Sequence, residues 1–254
     1  MRILLTGANG QLGAELRRSL ARKGWTLDAA SRQELDITDT SRLEGAFAEC
    51  HYDLVVNAAA FTAVDRAEAE EAAAFRVNAH APGHLARLCA EQGTALIHFS
   101  TDYVFDGSKP SPWRENDPPC PANAYGRSKE AGEQVIREAL GRHIILRTAW
   151  LFGAQGGGNF VKTMLRLAAE RDELRVVADQ HGNPTAAADL AACTAGIARR
   201  LAESPQGNLP WGTYHCVNRN EASWFEFAQA IVDCAAPMTG RRPPVRPIAT
   251  SDYP

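Results

Sequence analysis

The octapeptide Thr6-Gly7-Ala8-Asn9-Gly10-Gln11-Leu12-Gly13 follows an apolar run, Ile3 to Thr6, and leads straight into a segment of helical period. A strand, a glycine-rich turn and a helix in that order leave the chain few folds to choose from. Glycines at 7, 10 and 13 allow a tight turn, close approach of a phosphate to the backbone, and close packing of helix on strand. The helix start then offers free N–H groups to an anion. The spacing is G-x-x-G-x-x-G, and a strand-to-helix turn of purely structural purpose is the competing reading; the position after a buried strand favours the dinucleotide.

From Arg2 to Arg147, short β-rich runs alternate with longer helical segments, which predicts βαβ units on a doubly wound, Rossmann-type parallel sheet. The strands are expected at Ile3–Thr6, Thr26–Ala30, Leu54–Asn57, Ala95–Ser100 and Ile144–Arg147, apolar enough to be covered on both faces. Helices are expected at Gln11–Lys23, Ser41–Glu49, Ala81–Cys89 and Tyr125–Leu140. Between Asp106 and Ala124, Pro110, Pro112, Pro118, Pro119 and Pro121 exclude regular structure. The Ala/Glu-rich stretch Ala67 to Ala74 reads as a solvated helix. After Gly153 come a glycine run, a helix from Phe160 to Arg171, a strand from Leu174 to Val177 and a helix after Asp189. The organisation expected is a dinucleotide-binding domain over residues 1–150 and, over 151–254, mainly a smaller substrate lobe interleaved with the last sheet strands.

The bulk properties narrow the class. In 254 residues the formal net charge is −3 with both signs interspersed, so neither nucleic acid nor an anionic membrane is an expected partner. No apolar run suits a signal peptide or a membrane helix, which points to the cytoplasm. Six scattered cysteines without a C-x-x-C pair suit reduced thiols. His80 and His84 have metal-pair spacing, but Pro82 and Gly83 intervene and no third ligand is evident; they are expected to flank a helix start. The acidic run Asp65 to Glu71 reads as solvated charge.

Where the second strand ends, a carboxylate would suit the ribose of NADH, whereas the chain reads Ala30-Ser31-Arg32. A hydroxyl and a guanidinium suit a 2′-phosphate, so NADPH is favoured, with NADH the alternative; Asp28 is the ribose partner if the strand ends earlier. Tyr125 and Lys129 stand four residues apart at a helix start and share a face. An ammonium beside a phenol lowers its pKa from ~10, so the pair can give or take a proton. Ser100-Thr101-Asp102 places hydroxyls at the carboxyl edge of the sheet, where Thr101 can bond a substrate carbonyl or Tyr125.

These features resemble the extended short-chain dehydrogenase/reductase superfamily. Within it the chain is similar to the dTDP-4-dehydrorhamnose reductase family, through Glu34-Leu35-Asp36-Ile37-Thr38, Asn57 to Asp65, Ser100 to Gly107, Arg147-Thr148-Ala149-Trp150 and Asp179 to Thr185. The resemblance implies NADPH-dependent reduction of the 4-keto group of dTDP-4-dehydro-L-rhamnose to dTDP-L-rhamnose. It places Gly7, Gly10, Gln11, Leu12 and Gly13 at the phosphates, and Asp36 and Ile37 at the adenine. Ala58, Ala59, Ala60, Phe61 and Thr62 would meet the cofactor after the third strand. Tyr125 would donate the proton, Lys129 would hold the nicotinamide ribose and depress the Tyr125 pKa, and Thr101 would orient the tyrosine. Thr101, Asp102 and Trp150 would face the sugar.

Two departures bear on the assembly. Some dimeric relatives carry interface glutamates for magnesium, but Ala186-Ala187-Ala188-Asp189-Leu190 has none, so no metal is expected and the choice between monomer and homodimer stays open. Relatives also continue past the motif that Ser251-Asp252-Tyr253-Pro254 resembles, so the substrate lobe is expected to be short. The alternatives are a related nucleotide-sugar epimerase or dehydratase, or a regulatory subunit of the same fold. Tyr103 standing where a dehydratase would complete an acidic pair argues against the dehydratase, and the intact Thr101, Tyr125 and Lys129 argue against the regulatory subunit.

Overall fold

A computed structural model describes residues 1–204 and 209–253, so Pro254 of the last motif lies outside the described residues. The apolar runs form β1 (Arg2–Thr6), β2 (Thr26–Ala30), β3 (Leu54–Asn57), β4 (Ala95–Thr101) and β5 (His143–Thr148). With β10 (Gly212–His215) they make a six-stranded parallel sheet in the order β10-β5-β4-β3-β1-β2. The expected doubly wound α/β fold is therefore observed.

Side chains alternate across each strand, and the two apolar sets find different helices. Ile3, Leu5, Leu54, Val56, Ile97 and Leu146 pack against α1 (Gln11–Leu20) and α8 (Ala187–Glu203). Leu4, Val55, Leu96 and Ile145 pack against α2 (Thr40–Glu49), α5 (Ala81–Gln92) and α6 (Ala124–Ala139). Each fully buried Leu or Ile contributes roughly 1.5–3 kcal/mol, so the two layers hold the strand ends in place.

Local signals set the helix ends. Asn123 caps α6, its side chain accepting from the Gly126 N–H at 2.8 Å. Helix α5 stops where Gly93 takes a left-handed φ of 70°. Helix α1 ends at Leu20, short of the expected Lys23.

One expectation needs correction. The stretch Ala67 to Ala74 is not simply solvated: it splits into α3 (Val64–Ala69) and α4 (Glu71–Phe75), with Ala67 and Ala74 buried together with Ala124. Small side chains let these turns close onto α6, and the charges stay outside. His80 and His84 flank the start of α5 at Ala81, as expected. A π-helical turn, Arg76–His80, carries α4 directly into α5. It buries Asn78, whose amide accepts from the Phe61 N–H at 2.8 Å and donates to the Phe61 carbonyl at 3.0 Å.

A third apolar cluster lies in the C-terminal half, where α7 (Phe160–Glu170) and α9 (Trp224–Thr239) pack on β7 (Leu174–Val177) and β12 (Val245–Ile248). Short pairings of β6 (Leu151–Phe152) with β9 (Thr185–Ala186), and of β8 (His181–Gly182) with β11 (Ala222–Ser223), tie it down. Among the described residues no helix is long and apolar enough to cross a membrane.

Candidate active site

The glycine turn is built as its spacing requires. Gly7 has a φ of 69°, and a Cβ there would stand 2.6 Å from the Ala59 nitrogen. A Cβ at Gly13 would stand 2.1 Å from the Gly7 carbonyl oxygen. The Ala8 N–H donates to the Ala30 carbonyl at 3.0 Å, which joins the turn to the end of β2. Gly7, Gly10, Gln11, Leu12, Gly13, Ala58 and Ala59 thus meet at the carboxyl edge of the sheet, with Ala60, Phe61 and Thr62 following β3. Gly10 caps α1 without a side chain, so the first N–H groups of the helix have no intrahelical partner, a donor set that fits a pyrophosphate. Gln11 binds the far half of the chain: its Nε2 donates to the Leu151 carbonyl at 2.9 Å, and Asn159 Nδ2 donates to its Oε1 at 2.6 Å.

Ser31 and Arg32 follow β2 directly. The Ser31 N–H donates to Glu34 at 2.7 Å, and the exposed Arg32 guanidinium donates to Asp36 at 3.0 Å. Burial tends to raise the Asp36 pKa, but hydrogen bonds from Thr38 and Arg32 prevail and hold it below its ordinary value. Ile37 is buried beside them. Asp28 lies within β2, which runs to Ala30, and pairs with Arg2 at 2.7 Å; the alternative that required an earlier strand end does not arise.

Thr101 ends β4, and Asp102–Val104 turn at once into a 3-10 helix. The Thr101 hydroxyl donates to Asp102 Oδ1 at 3.0 Å and accepts from the Tyr103 N–H at 3.2 Å. Tyr125, in the first turn of α6, packs edge-on to Tyr103 with centroids 5.6 Å apart, and its phenol lies close enough to the Thr101 hydroxyl to feel it electrostatically. Phe61 packs beside it on the Ala67, Ala74 and Ala124 cluster, which brings the segment after β3 to the tyrosine. One turn along α6, Lys129 is fully buried; its Nζ donates to the Phe99 carbonyl at 2.7 Å and stands 3.2 Å from His98 Nε2.

The electrostatics differ from the expected depression of the tyrosine. Burial pushes the Tyr125 phenol well above its ordinary value, with Asp102 and Tyr103 adding to the shift, and only the nearby Thr101 hydroxyl opposes it. Lys129 is not among the groups that lower it, and burial brings the amine itself down to about 8. The Asp102 carboxyl is likewise raised by burial, against its bonds to Thr101 and Tyr103.

Trp150 follows β5 in a left-handed conformation, φ 46°, and stacks on Trp224 with centroids 3.5 Å apart. Its carbonyl accepts from the Thr185 N–H at 3.2 Å, which seats the 179–185 motif beside it. Trp224, His98, Asn78 and Glu133 are not singled out by the sequence reading. His98 had one faint signal, an imidazole inside an otherwise apolar strand; Trp224 had none.

The RmlD substrate binding domain family model matches residues 1–254. A dTDP-4-dehydrorhamnose reductase of Burkholderia thailandensis is 47% identical over 261 residues, covering 100% of this chain and 86% of that protein. The crystal structure of dTDP-4-dehydrorhamnose reductase from Bacillus anthracis in complex with NADP superposes with a TM-score of 0.91 at 38% identity, covering 99% of this chain and 86% of that one. The corresponding structure from Clostridium acetobutylicum gives a TM-score of 0.89 at 38% identity, covering 100% and 86%. With the family match running through the glycine turn, the Thr101–Tyr125–Lys129 group and the Trp150 region alike, this chain belongs to the RmlD family, among the dTDP-4-dehydrorhamnose reductases.

Proposed function

We propose that this chain reduces the 4-keto group of dTDP-4-dehydro-L-rhamnose to the alcohol of dTDP-L-rhamnose with NADPH, and that Tyr125 supplies the proton. The carrying observation is that Tyr125, beside Thr101, stands at the carboxyl edge of the same sheet as the glycine turn. NADPH, when bound, supplies the hydride. The α1 N-terminus and the backbone from Gly7 to Gly13 cradle its phosphates, Ser31 and Arg32 take the 2′-phosphate, and Asp36 and Ile37 border the adenine. Ala58 to Thr62 flank its path towards Tyr125.

A phenol with a raised pKa stays protonated at neutral pH, so Tyr125 enters the reaction with its proton in place. It passes that proton to the forming alkoxide oxygen, and Thr101 turns its hydroxyl hydrogen to the phenolate that results. Lys129, as an ammonium in the working complex, steadies the same negative charge and orients the nicotinamide ribose. Asp102 and Trp150 position the sugar.

On this reading residues 1–150 hold the dinucleotide, 151–254 mainly the sugar, and the enzyme works in the cytoplasm on a small-molecule substrate. The test is NADPH oxidation followed by absorbance with dTDP-4-dehydro-L-rhamnose, with Tyr125→Phe as control. Loss of about 10²–10⁴ in kcat with NADPH binding retained is the expected result. An unaltered chain that binds NADPH yet never oxidises it overturns the reading.

A further inference from the structure

Behind the Tyr125–Lys129 pair lies a buried chain of polar groups whose hydrogens can be assigned one after another. Asn57 Oδ1 accepts from the Thr6 hydroxyl at 2.7 Å and from the Ala59 N–H at 3.2 Å. A backbone N–H only donates, so the amide oxygen of Asn57 must face Ala59 and its NH₂ must face the other way. That NH₂ stands 3.1 Å from His98 Nδ1, which therefore accepts and carries no hydrogen. The ring's hydrogen is then on Nε2, 3.2 Å from Lys129 Nζ.

Two donors cannot face each other out of water without cost. Both side chains are buried, His98 at 1% and Lys129 at 2% exposure, so no solvent relieves the conflict. It is relieved if Lys129 accepts with its lone pair and donates its own hydrogen to the Phe99 carbonyl, 2.7 Å away. We propose that His98, held as the Nε2–H tautomer by Asn57, is a positioning residue that donates to Lys129 Nζ and favours its neutral amine over the ammonium until the cofactor binds.

The surrounding ionisable groups agree with this assignment. Burial, and then Lys129, push the His98 imidazole well below its usual value, so the ring is neutral with one hydrogen to place. On α6, Glu133 is the charge that would favour the ammonium, but it is committed to Arg147 at 2.7 Å and Arg137 at 2.9 Å. The other titratable side chains of the pocket, Asp102 and Tyr103 of the 3-10 turn and Tyr125 of α6, are linked to one another and to Thr101. His98 is the ionisable side chain in hydrogen-bond reach of Lys129 Nζ among the described residues.

The inference deepens the reductase reading and rests on it for its kinetic arm, so its first test needs no turnover. In the cofactor-free chain, nitrogen-15 NMR of His98 should show a bare Nδ1 and a protonated Nε2. A hydrogen on Nδ1 overturns the proposal whatever the enzyme reduces. In the kinetic arm, kcat/KM for NADPH reports ionisations of the free enzyme, and activity should fall as pH rises through the Lys129 pKa near 8. His98→Phe removes the donor, which frees the ammonium and moves that limb upward by about one pH unit, a tenfold change in proton affinity. His98→Gln, able to accept from Asn57 and donate to Lys129, should restore the original position. A folded Phe variant with an unmoved limb overturns the proposal, and if that variant does not fold, the tautomer measurement decides. An unaltered chain without turnover sinks the reductase reading and leaves the tautomer result standing.

Discussion

Arg147 holds Glu133 out of water: Nη2 donates to Oε2 at 2.7 Å and Nε to Oε1 at 2.9 Å, with the two side chains 3% and 0% exposed. The same guanidinium donates to the Glu115 carbonyl at 3.2 Å, so one buried pair ties α6, β5 and the proline-rich segment together. Arg147→Met should cost about 3–5 kcal/mol in urea unfolding, because it strands a carboxylate inside the fold with Arg137 as its remaining ion-pair partner among the described residues. A loss below about 1 kcal/mol would mean that Arg137 alone satisfies Glu133.

The pair also sets an acid limit. Burial by itself would raise the Glu133 carboxyl, but Arg147 prevails and holds it below 4.5. A folded-state pKa below the unfolded one adds stability above the unfolded value, and that stability is lost as pH falls through the folded pKa. Thermal midpoints of the parent should therefore drop steeply below pH 4.5, and those of Glu133→Gln, lower throughout, should drop less steeply. Parallel curves would assign the acid sensitivity to other carboxylates.

Arg32 pairs with Asp36, but its side chain is 82% exposed, and a surface ion pair is worth only about 0–1 kcal/mol. The guanidinium is free to turn to a phosphate. Arg32→Ala should lower kcat/KM for NADPH about tenfold to a hundredfold, the size of a charge-assisted hydrogen bond, and leave NADH nearly unchanged. Equal losses with both cofactors would remove Arg32 from the 2′-phosphate.

Trp150 is held against Trp224 in a backbone conformation that costs a non-glycine residue about 1–3 kcal/mol, a strain more common at sites than in cores. Trp150→Ala should raise KM for the sugar nucleotide about tenfold while NADPH binds as before. If only stability changes, the ring is packing and not a wall of the sugar pocket.

The glycine turn, the strand–helix alternation and the Tyr125–Lys129 spacing were legible because each is carried by neighbours in the chain. A turn needs its glycines within a few residues, and a helix repeats every 3.6. The strands from β1 to β5 accordingly fall where their apolar runs predict. Even the 174–177 strand, outside the six-stranded sheet, is announced by its own composition.

Tertiary structure alone decided what distant residues do to one another. Ala67 and Ala74 look solvated in a charged stretch and are buried because α6 closes over them. His98 reads as one more residue of an inner strand, and becomes a hydrogen-bond donor only because Asn57 and Lys129 flank it. Trp150 meets Trp224 through the packing of separate elements, with no pattern linking them. Spacing puts Lys129 on the face of Tyr125, whereas the pKa of each depends on how much water the fold leaves them. Burial depth and hydrogen inventory belong to the assembled molecule, which is why the sequence determined where the reactive groups stand and only the fold determined their protonation.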